Sequence, residues 1–292
     1  MMMSIVVNLT SAMDGGARLV ADAADTATQQ DVYDIDIWGI LVALGLIVIA
    51  TVISAFAQLG VEKSLPVAAV RAMIQLAAMG LILRWVIEQG TWWWVIALMV
   101  VMLAAAVQIT MSRAKNVPKG LELSVFLTLA TTMIAMVAVV VELIVRPTPW
   151  YSPRVVLPLA GMMLGNTVAA TALAMSRFFE DMTERRDEVE MMLALGATPR
   201  EASMPSIRSA MRLGLMPTVA SLASAGIVTI PGMMAGQILA GNDPLIAAKY
   251  QFMVLAAISA LTLIADAVIL HLVYRKCFTK RDQYELIIRK KK

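Results

Sequence analysis

Apolar residues gather in runs of about 20, the length at which an α-helix crosses a hydrocarbon core. Seven runs stand out, over about 37–60, 66–87, 92–112, 121–145, 154–179, 213–240 and 250–274. The breaks between them are short and polar. Glu62, Lys63, Ser64 and Pro66 separate the first two runs, and Gln89, Gly90 and the triplet Trp92-Trp93-Trp94 mark a membrane interface, where aromatic rings prefer to sit. Lys115 to Gly120 form a loop, as do Pro147, Pro149 and Pro153 with Trp150 and Tyr151, and Asn242-Asp243-Pro244 turns the chain before the last run. The pattern predicts an all-α, polytopic integral membrane protein with seven transmembrane helices.

Composition agrees. The 292 residues are 60% hydrophobic and 15% charged, with a mean hydropathy of +0.77, against roughly half apolar and a quarter charged in soluble domains. One Cys (Cys277) and one His (His271) exclude an intrachain disulfide and a Cys/His zinc site built by one chain. Residues 1–36 have no apolar core beside a basic start, so they do not read as a secretory signal. They carry Asp14, Asp22, Asp25, Asp31, Asp34 and Asp36 and read as an acidic tail. Lys63, then Arg113, Lys115 and Lys119, then Arg177 to Arg212, then the tail from Arg275 to Lys292 all fall on one side of a seven-span topology. The other side holds only Arg18, Arg146, Arg154 and Lys249. The positive-inside rule then puts the N-terminus outside and the C-terminus in the cytoplasm. The layout is an extracytoplasmic acidic tail over 1–36, a transmembrane domain over 37–275 and a basic cytoplasmic tail over 276–292, whose lysines touch anionic lipid or simply anchor topology. No nucleic-acid partner is expected.

The largest loop has sharp helix punctuation. In LALGATPREA (193–202), Gly196 suits the left-handed position just past a helix C-terminus. Thr198 suits an N-cap, with Pro199 at the first helical position and Glu201 reaching back to complete a capping box. Upstream, Val189, Met192 and Leu193 share one helical face and charges cover the rest. A cytoplasmic hairpin over about 183–205 that presents a small apolar knob to a partner is expected; the plain alternative is a well-capped solvated loop.

The stretch EMMLALGATPREASMP (190–205) resembles the coupling loop of ABC-transporter permeases, which carry a Glu-Ala-Ala…Gly run before a downstream proline. Glu190, Leu195, Gly196, Ala197, Pro199 and Pro205 match; Met191 and Met192 stand where that family often has alanine, and Ser206 follows the proline. LAGMMLGNT (159–167) and TIPGMMAGQIL (229–239), followed by Asp243-Pro244 and Tyr250-Gln251, resemble the FetB-type permeases, membrane subunits of iron-exporting ABC systems with plant relatives linked to aluminium tolerance. The resemblance covers nearly all of the chain after residue 36. It implies that residues 37–275 are the permease domain of a homodimer in the cell (inner or plasma) membrane, working with two copies of a separate ABC ATPase. ATP and Mg²⁺ would be bound by that partner, with no cofactor in this chain. It implies docking through Glu190, Leu195, Gly196, Ala197 and Pro199, and a cargo of iron or another metal ion, with nucleotide-sugar the assignment in plants. The absence of any G-x-x-x-x-G-K-[ST] run, and of any soluble segment long enough for an ATPase domain, independently sends ATP hydrolysis to a partner.

Two intramembrane segments echo each other, Gly161 to Asn166 and Gly232 to Gln237. Each contains Gly-x-x-x-Gly, which lets helices approach closely, and each would lie about 12 Å below the outer boundary at 1.5 Å per residue. Met162, Met163, Asn166, Met233, Met234 and Gln237 therefore read either as a substrate-facing layer or as packing with methionine as filler. Thioethers suit Cu(I) better than iron. Pro217, Gly226, Pro231 and Gly232 allow a broken sixth span that lines a pathway or hinges, or ordinary kinks. Charges inside spans are costly. Arg71 and Asp266, at similar depth, read as a structural ion pair, with cation binding by Asp266 the alternative. Glu142, one turn below the outer surface, binds an exiting cation or snorkels. Glu122 suits a helix N-terminus, and Arg84 with Glu88 an i,i+4 pair. No catalytic constellation is present, so a non-catalytic membrane subunit is expected. An exporter of organic solutes, an ATPase-independent channel or scaffold, and a membrane-embedded enzyme remain the other classes.

Overall fold

The structure, a computed structural model, describes residues 36–60, 62–114, 117–118, 120–279 and 281–285. The acidic tail thus lies outside the described residues except for Asp36, and the basic tail is described only in part, to residue 285. Asp36 caps the first helix, its carboxylate accepting from the Ile37 N–H at 2.7 Å.

The long elements are helices: α1 (Ile37–Phe56), α2 (Ser64–Gln89), α3 (Trp92–Arg113), α4 (Glu122–Val139) running into a π-helical turn (Val140–Val145), α5 (Pro153–Glu184), α6 (Arg186–Ala194), α7 (Pro199–Ser224), α8 (Gly232–Leu239) and α9 (Pro244–Val273), followed by a 3₁₀ turn (Tyr274–Cys277). Among the described residues the only β pairings are two isolated bridges. Glu122 falls in the first turn of α4, and Arg84 pairs with Glu88 at 3.0 Å.

Among the described residues, six helices are long and apolar enough to cross a membrane: α1, α2, α3, α4 with its π turn, α5 and α9. The seventh expected span, 213–240, is not a continuous helix. It divides into the second half of α7 and the short α8, separated by residues 225–231. The cause is local. Gly226 takes a φ of +79°, and the Ser224 carbonyl gathers the N–H groups of Ile227, Val228 and Thr229 at 3.3, 3.0 and 3.1 Å instead of continuing a helical ladder. Gly226 N–H closes the knot on the Thr229 carbonyl at 2.9 Å, and Pro231 opens the next helix as its N-cap. Of the breakers in the sequence, Gly226 and Pro231 act, whereas Pro217 stays inside α7.

The chain forms two compact units. One holds residues 36–79 with 231–250, the other residues 80–230 with 251–285. In the first, α1 buries only Ser54. Trp38, Val42, Leu46, Ile49 and Ile53 are exposed around it, so its apolar surface suits lipid rather than a core of this chain. In the second, α5 is the spine. It packs along α7 and α3 and beside α4. Ala160, Ala170 and Ala174 are buried along it, small residues of the kind that let helix backbones approach without a polar driving force. Toward its C-terminal end, Met175, Phe178, Phe179 and Met182 are fully buried with Leu121, Ile207, Ile269 and Leu270.

Candidate functional site

The hairpin is built as its sequence predicts. α5 ends at Glu184 and α6 starts at Arg186, so Arg185 forms the corner. Its Nε and Nη2 donate to the two carboxylate oxygens of Glu188, and its Nη1 donates to Ser206 Oγ on α7 at 2.8 Å. Asp181 on α5 lies 3.9 Å from Nη1. One guanidinium thereby clamps α5, α6 and α7 together. The hydrogen bond from Arg185 holds the Glu188 carboxyl below its usual range, and its bond to Glu188 raises Arg185 in turn. Past α6, Gly196 takes φ +93°. Its N–H binds the Leu193 carbonyl and the Ala197 N–H binds Met192, both at 3.0 Å, the paired bonds of a Schellman motif. Thr198 then caps α7 in a complete capping box with Glu201, with Pro199 in the first turn.

The backbone and hydroxyl hydrogen bonds of Thr198 hold the Glu201 carboxyl below its ordinary value. A depressed carboxyl stabilises at neutral pH and loses that contribution as pH falls through its folded value. Amide exchange at the start of α7, taken relative to its intrinsic rate at each pH, is therefore expected to quicken in acid. Thr198→Ala should raise it at neutral pH by an amount equivalent to about 1 kcal/mol; unchanged exchange would show that the cap is idle.

The apolar knob differs from the expected one. Val189 is fully buried, and Met192 and Leu193 pack against the same core. That face of α6 covers the end of α5 instead of meeting solvent. The exposed apolar groups are Met191 (58%) and Leu195 (81%). Glu190 is exposed and held by Arg186 at 2.8 Å. Glu190, Leu195, Gly196, Ala197 and Pro199 thus lie together along one short hairpin.

The residues after α9 supply a contact that the hydropathy pattern does not show. Thr279 N–H donates to the Gln283 carbonyl and Glu285 N–H to the Cys277 carbonyl, both at 2.8 Å, folding the segment back on itself. The Tyr284 hydroxyl donates to the Met182 carbonyl on α5 at 2.7 Å. Phe278 meets the Tyr284 ring edge-on at 6.0 Å, and the Arg186 guanidinium lies 6.0 Å from that ring's centre. Burial pushes the Tyr284 hydroxyl up to about 12, so it remains a donor at any physiological pH. Two aromatic rings in an otherwise charged tail were the available signal. Tyr284→Phe should cost about 1 kcal/mol, one net hydrogen bond, read as faster proteolytic trimming of the tail; an unchanged trimming rate would mean that the strap contributes nothing.

Asp266 is fully buried where α5, α7 and α9 meet. Thr171 Oγ1 on α5 donates to its Oδ1 at 2.8 Å, and Oδ2 has no hydrogen-bond partner among the described residues. Gly214 on α7 makes room, since a Cβ there would lie 2.5 Å from Oδ2. Arg71, expected as the ion-pair partner of Asp266, lies in the other compact unit. The carboxylate turns toward the α5–α7 contact and is held by a hydroxyl, while Arg71 stands exposed beside Val67, Val70 and Ile74 on α2.

The remaining pathway candidates separate. Met163 is 1% exposed and belongs to the core, whereas Met162 is half-buried and Asn166 is exposed with its amide on the Met162 carbonyl at 2.8 Å. Gly161 lets α5 approach α3, for a Cβ there would sit 3.1 Å from the Met102 methyl. Met233, Met234 and Gln237 are half-buried on α8, in the other unit. Glu142 is exposed at an apolar cavity of about 350 Å³ lined by Trp92, Met99, Met133, Trp150 and Tyr151 among others. Arg146 donates to the Glu142 backbone carbonyl at 3.2 Å, and no salt bridge holds that carboxylate among the described residues. Glu142 and Asp266, one exposed and one buried, do not share a site. No three of His, Cys, Asp and Glu converge on a metal-sized site among the described residues.

Six membrane-length apolar helices among the described residues, with a doubly capped charged hairpin between two of the long helices, define a multi-pass helical membrane protein. Residues 37–278 match the family described as Uncharacterised protein family (UPF0014), and the chain belongs to it. It is 33% identical over 250 residues, 86% of this chain and 95% of the other, to a protein of Escherichia coli (strain K12) named "Probable iron export permease protein FetB". It is 31% identical over 237 residues (81% and 82%) to the "UPF0014 membrane protein STAR2" of Oryza sativa subsp. japonica. It is 30% identical over 243 residues (83% and 88%) to the "Protein ALUMINUM SENSITIVE 3" of Arabidopsis thaliana. No solved structure matches this chain.

Proposed function

We propose that this chain is the membrane-embedded, non-catalytic permease subunit of an ABC-type exporter that moves iron or another metal ion out of the cell. Two copies would form a homodimer, each bound through its hairpin to one copy of a separate ATPase that holds ATP and Mg²⁺. The observation that carries the reading is the hairpin. Its ends are fixed by a Schellman motif and a capping box, its base is clamped by Arg185, and its exposed edge is Met191, Leu195 and the Arg186–Glu190 pair. Such an edge suits a groove that accepts two apolar side chains. The iron cargo rests on kinship with the Escherichia coli protein whose name assigns it. The cytoplasmic placement of the hairpin rests on the Lys and Arg distribution.

In this reading, closure of the ATPases pushes on α6. Arg185 passes the displacement to α5 and α7, the two helices that share the longest contact in their unit. Residues 225–231 interrupt the helix beyond α7 and give that motion a hinge. Met162, Asn166, Met233, Met234, Gln237 and Glu142 remain the pathway candidates, and Met163 returns to packing. The test is flux. The chain and its ATPase are reconstituted in liposomes with ATP on the ATPase side, and ferrous iron, other divalent metals and a nucleotide-sugar are followed. ATP-dependent iron movement establishes the metal exporter. Movement of the nucleotide-sugar alone keeps the permease and removes the metal. Flux of any of these without ATP removes the ATPase coupling.

A further inference from the structure

A second feature of α5 and α7 is independent of the cargo. On their exposed side, the two helices enclose a cleft of about 850 Å³ lined by Arg177, Arg208, Ser209, Arg212, Leu213 and Met216, with Glu180 at its edge. Its charge is unbalanced. Arg177 is held by Asp181 at 3.1 Å and Glu180 at 3.7 Å, but Arg208 and Arg212 are exposed and lie in no salt bridge among the described residues. They stand four residues apart on one helix face, a like-charge pair that weakens an isolated helix. Their planar forks match phosphate oxygens in pairs. One turn further along the same face comes Met216, 59% exposed, and Leu213, half-buried, lines the cleft beside Arg212. A site with a cationic base and an apolar wall fits an amphiphile with a phosphate at its head. Arg208 and Arg212 also belong to the run of basic residues that marks the cytoplasmic side, and basic pockets between helices at that level attract anionic lipid headgroups.

We propose that the α5–α7 cleft binds the phosphate of an anionic phospholipid through Arg208 and Arg212, with an acyl chain along Leu213 and Met216. Because α5 and α7 are also the helices clamped by Arg185, a lipid held there bridges the pair just beyond the hairpin.

The test uses the full-length chain in nanodiscs of phosphatidylcholine with a minor share of phosphatidylglycerol, with lipid retained after extraction read by native mass spectrometry. Phosphatidylglycerol should be retained over phosphatidylcholine. Loss of one arginine should lower its retention roughly fivefold, and R208Q/R212Q roughly 25-fold. R208K/R212K keeps the charge without the paired bonds and should retain lipid between wild type and R208Q/R212Q, and the single R212Q variant serves if the double variant is poorly dispersed. Equal retention of the two lipids, or equal retention by wild type and R208Q/R212Q, overturns the proposal. Displacement of the lipid by soluble glycerophosphate at similar concentration would make this a free-phosphate site and overturn the lipid assignment. Loss of ATPase binding in R208Q/R212Q with lipid retention unchanged would make the arginines a protein contact and overturn it as well.

Discussion

Gly196→Val is expected to lower ATP-driven flux roughly tenfold or more while the protein still inserts and folds. Gly196 has φ +93° and no neighbour within 4 Å of a would-be Cβ, so the cost is conformational rather than a clash. For a β-branched residue in the left-handed region that cost is roughly 1–2 kcal/mol. It is relieved when the turn relaxes, and relaxation breaks the two Schellman bonds from Gly196 and Ala197. Leu195, 81% exposed, then leaves its place relative to the Arg186–Glu190 pair, while the core under Val189 is untouched. Because 1.4 kcal/mol is tenfold in an equilibrium, co-purification of the ATPase should fall roughly tenfold or more, with flux falling alongside. Gly196→Ala should fall between. Normal flux in the valine variant would sink the docking role of the hairpin.

Gly214→Ala should destabilise the bundle itself. Its Cβ would lie 2.5 Å from Asp266 Oδ2, 3.0 Å from the Ala174 Cβ and 3.2 Å from the Ala170 carbonyl oxygen. The first distance forces a shift. Either the carboxylate leaves the Thr171 hydroxyl, 2.8 Å away, or α7 retreats from α5 along their shared contact. Overpacking of this kind costs typically 1–3 kcal/mol, so thermal unfolding in detergent should come at a clearly lower temperature. Asp266→Ala removes the closest atom and should rescue part of the loss. In a double-mutant cycle the coupling should reach about 1 kcal/mol or more, as for other contacting pairs. The contacts with Ala174 and Ala170 persist, so rescue should be incomplete. Strictly additive effects would mean that Gly214 does not hold the place of Asp266.

Much of the architecture was legible because its causes are local. A span of about 20 apolar residues states its own fate in lipid, whatever it packs against. The capping box of Thr198 and Glu201 and the Schellman turn at Gly196 involve residues within a few positions of one another, so spacing alone announces them. What misled was a count in which an apolar run equals a helix. The run over 213–240 is apolar enough, but the Ser224 carbonyl and Gly226 tie a turn inside it, and hydropathy carries no term for backbone hydrogen bonding. The knob on α6 misled for a related reason. An apolar face predicts burial without saying by what, and here the end of α5 covers Val189 while Met191 and Leu195 remain outside.

The sequence by itself determined that this is a helical multi-pass membrane protein and that its largest loop is a doubly capped hairpin. The resemblance of its motifs also placed it in the right family. Tertiary structure alone decided which polar groups meet. The partner of Asp266 is Thr171, 95 residues earlier in the chain, and Tyr284 reaches Met182 across 102 residues. Arg71, placed beside Asp266 by depth alone, belongs to the other compact unit. Depth along a helix follows from residue count. The direction a side chain faces depends on how each helix is rotated against its neighbours, and that rotation is set by small residues such as Gly214 and Ala174 at contacts between distant parts of the chain.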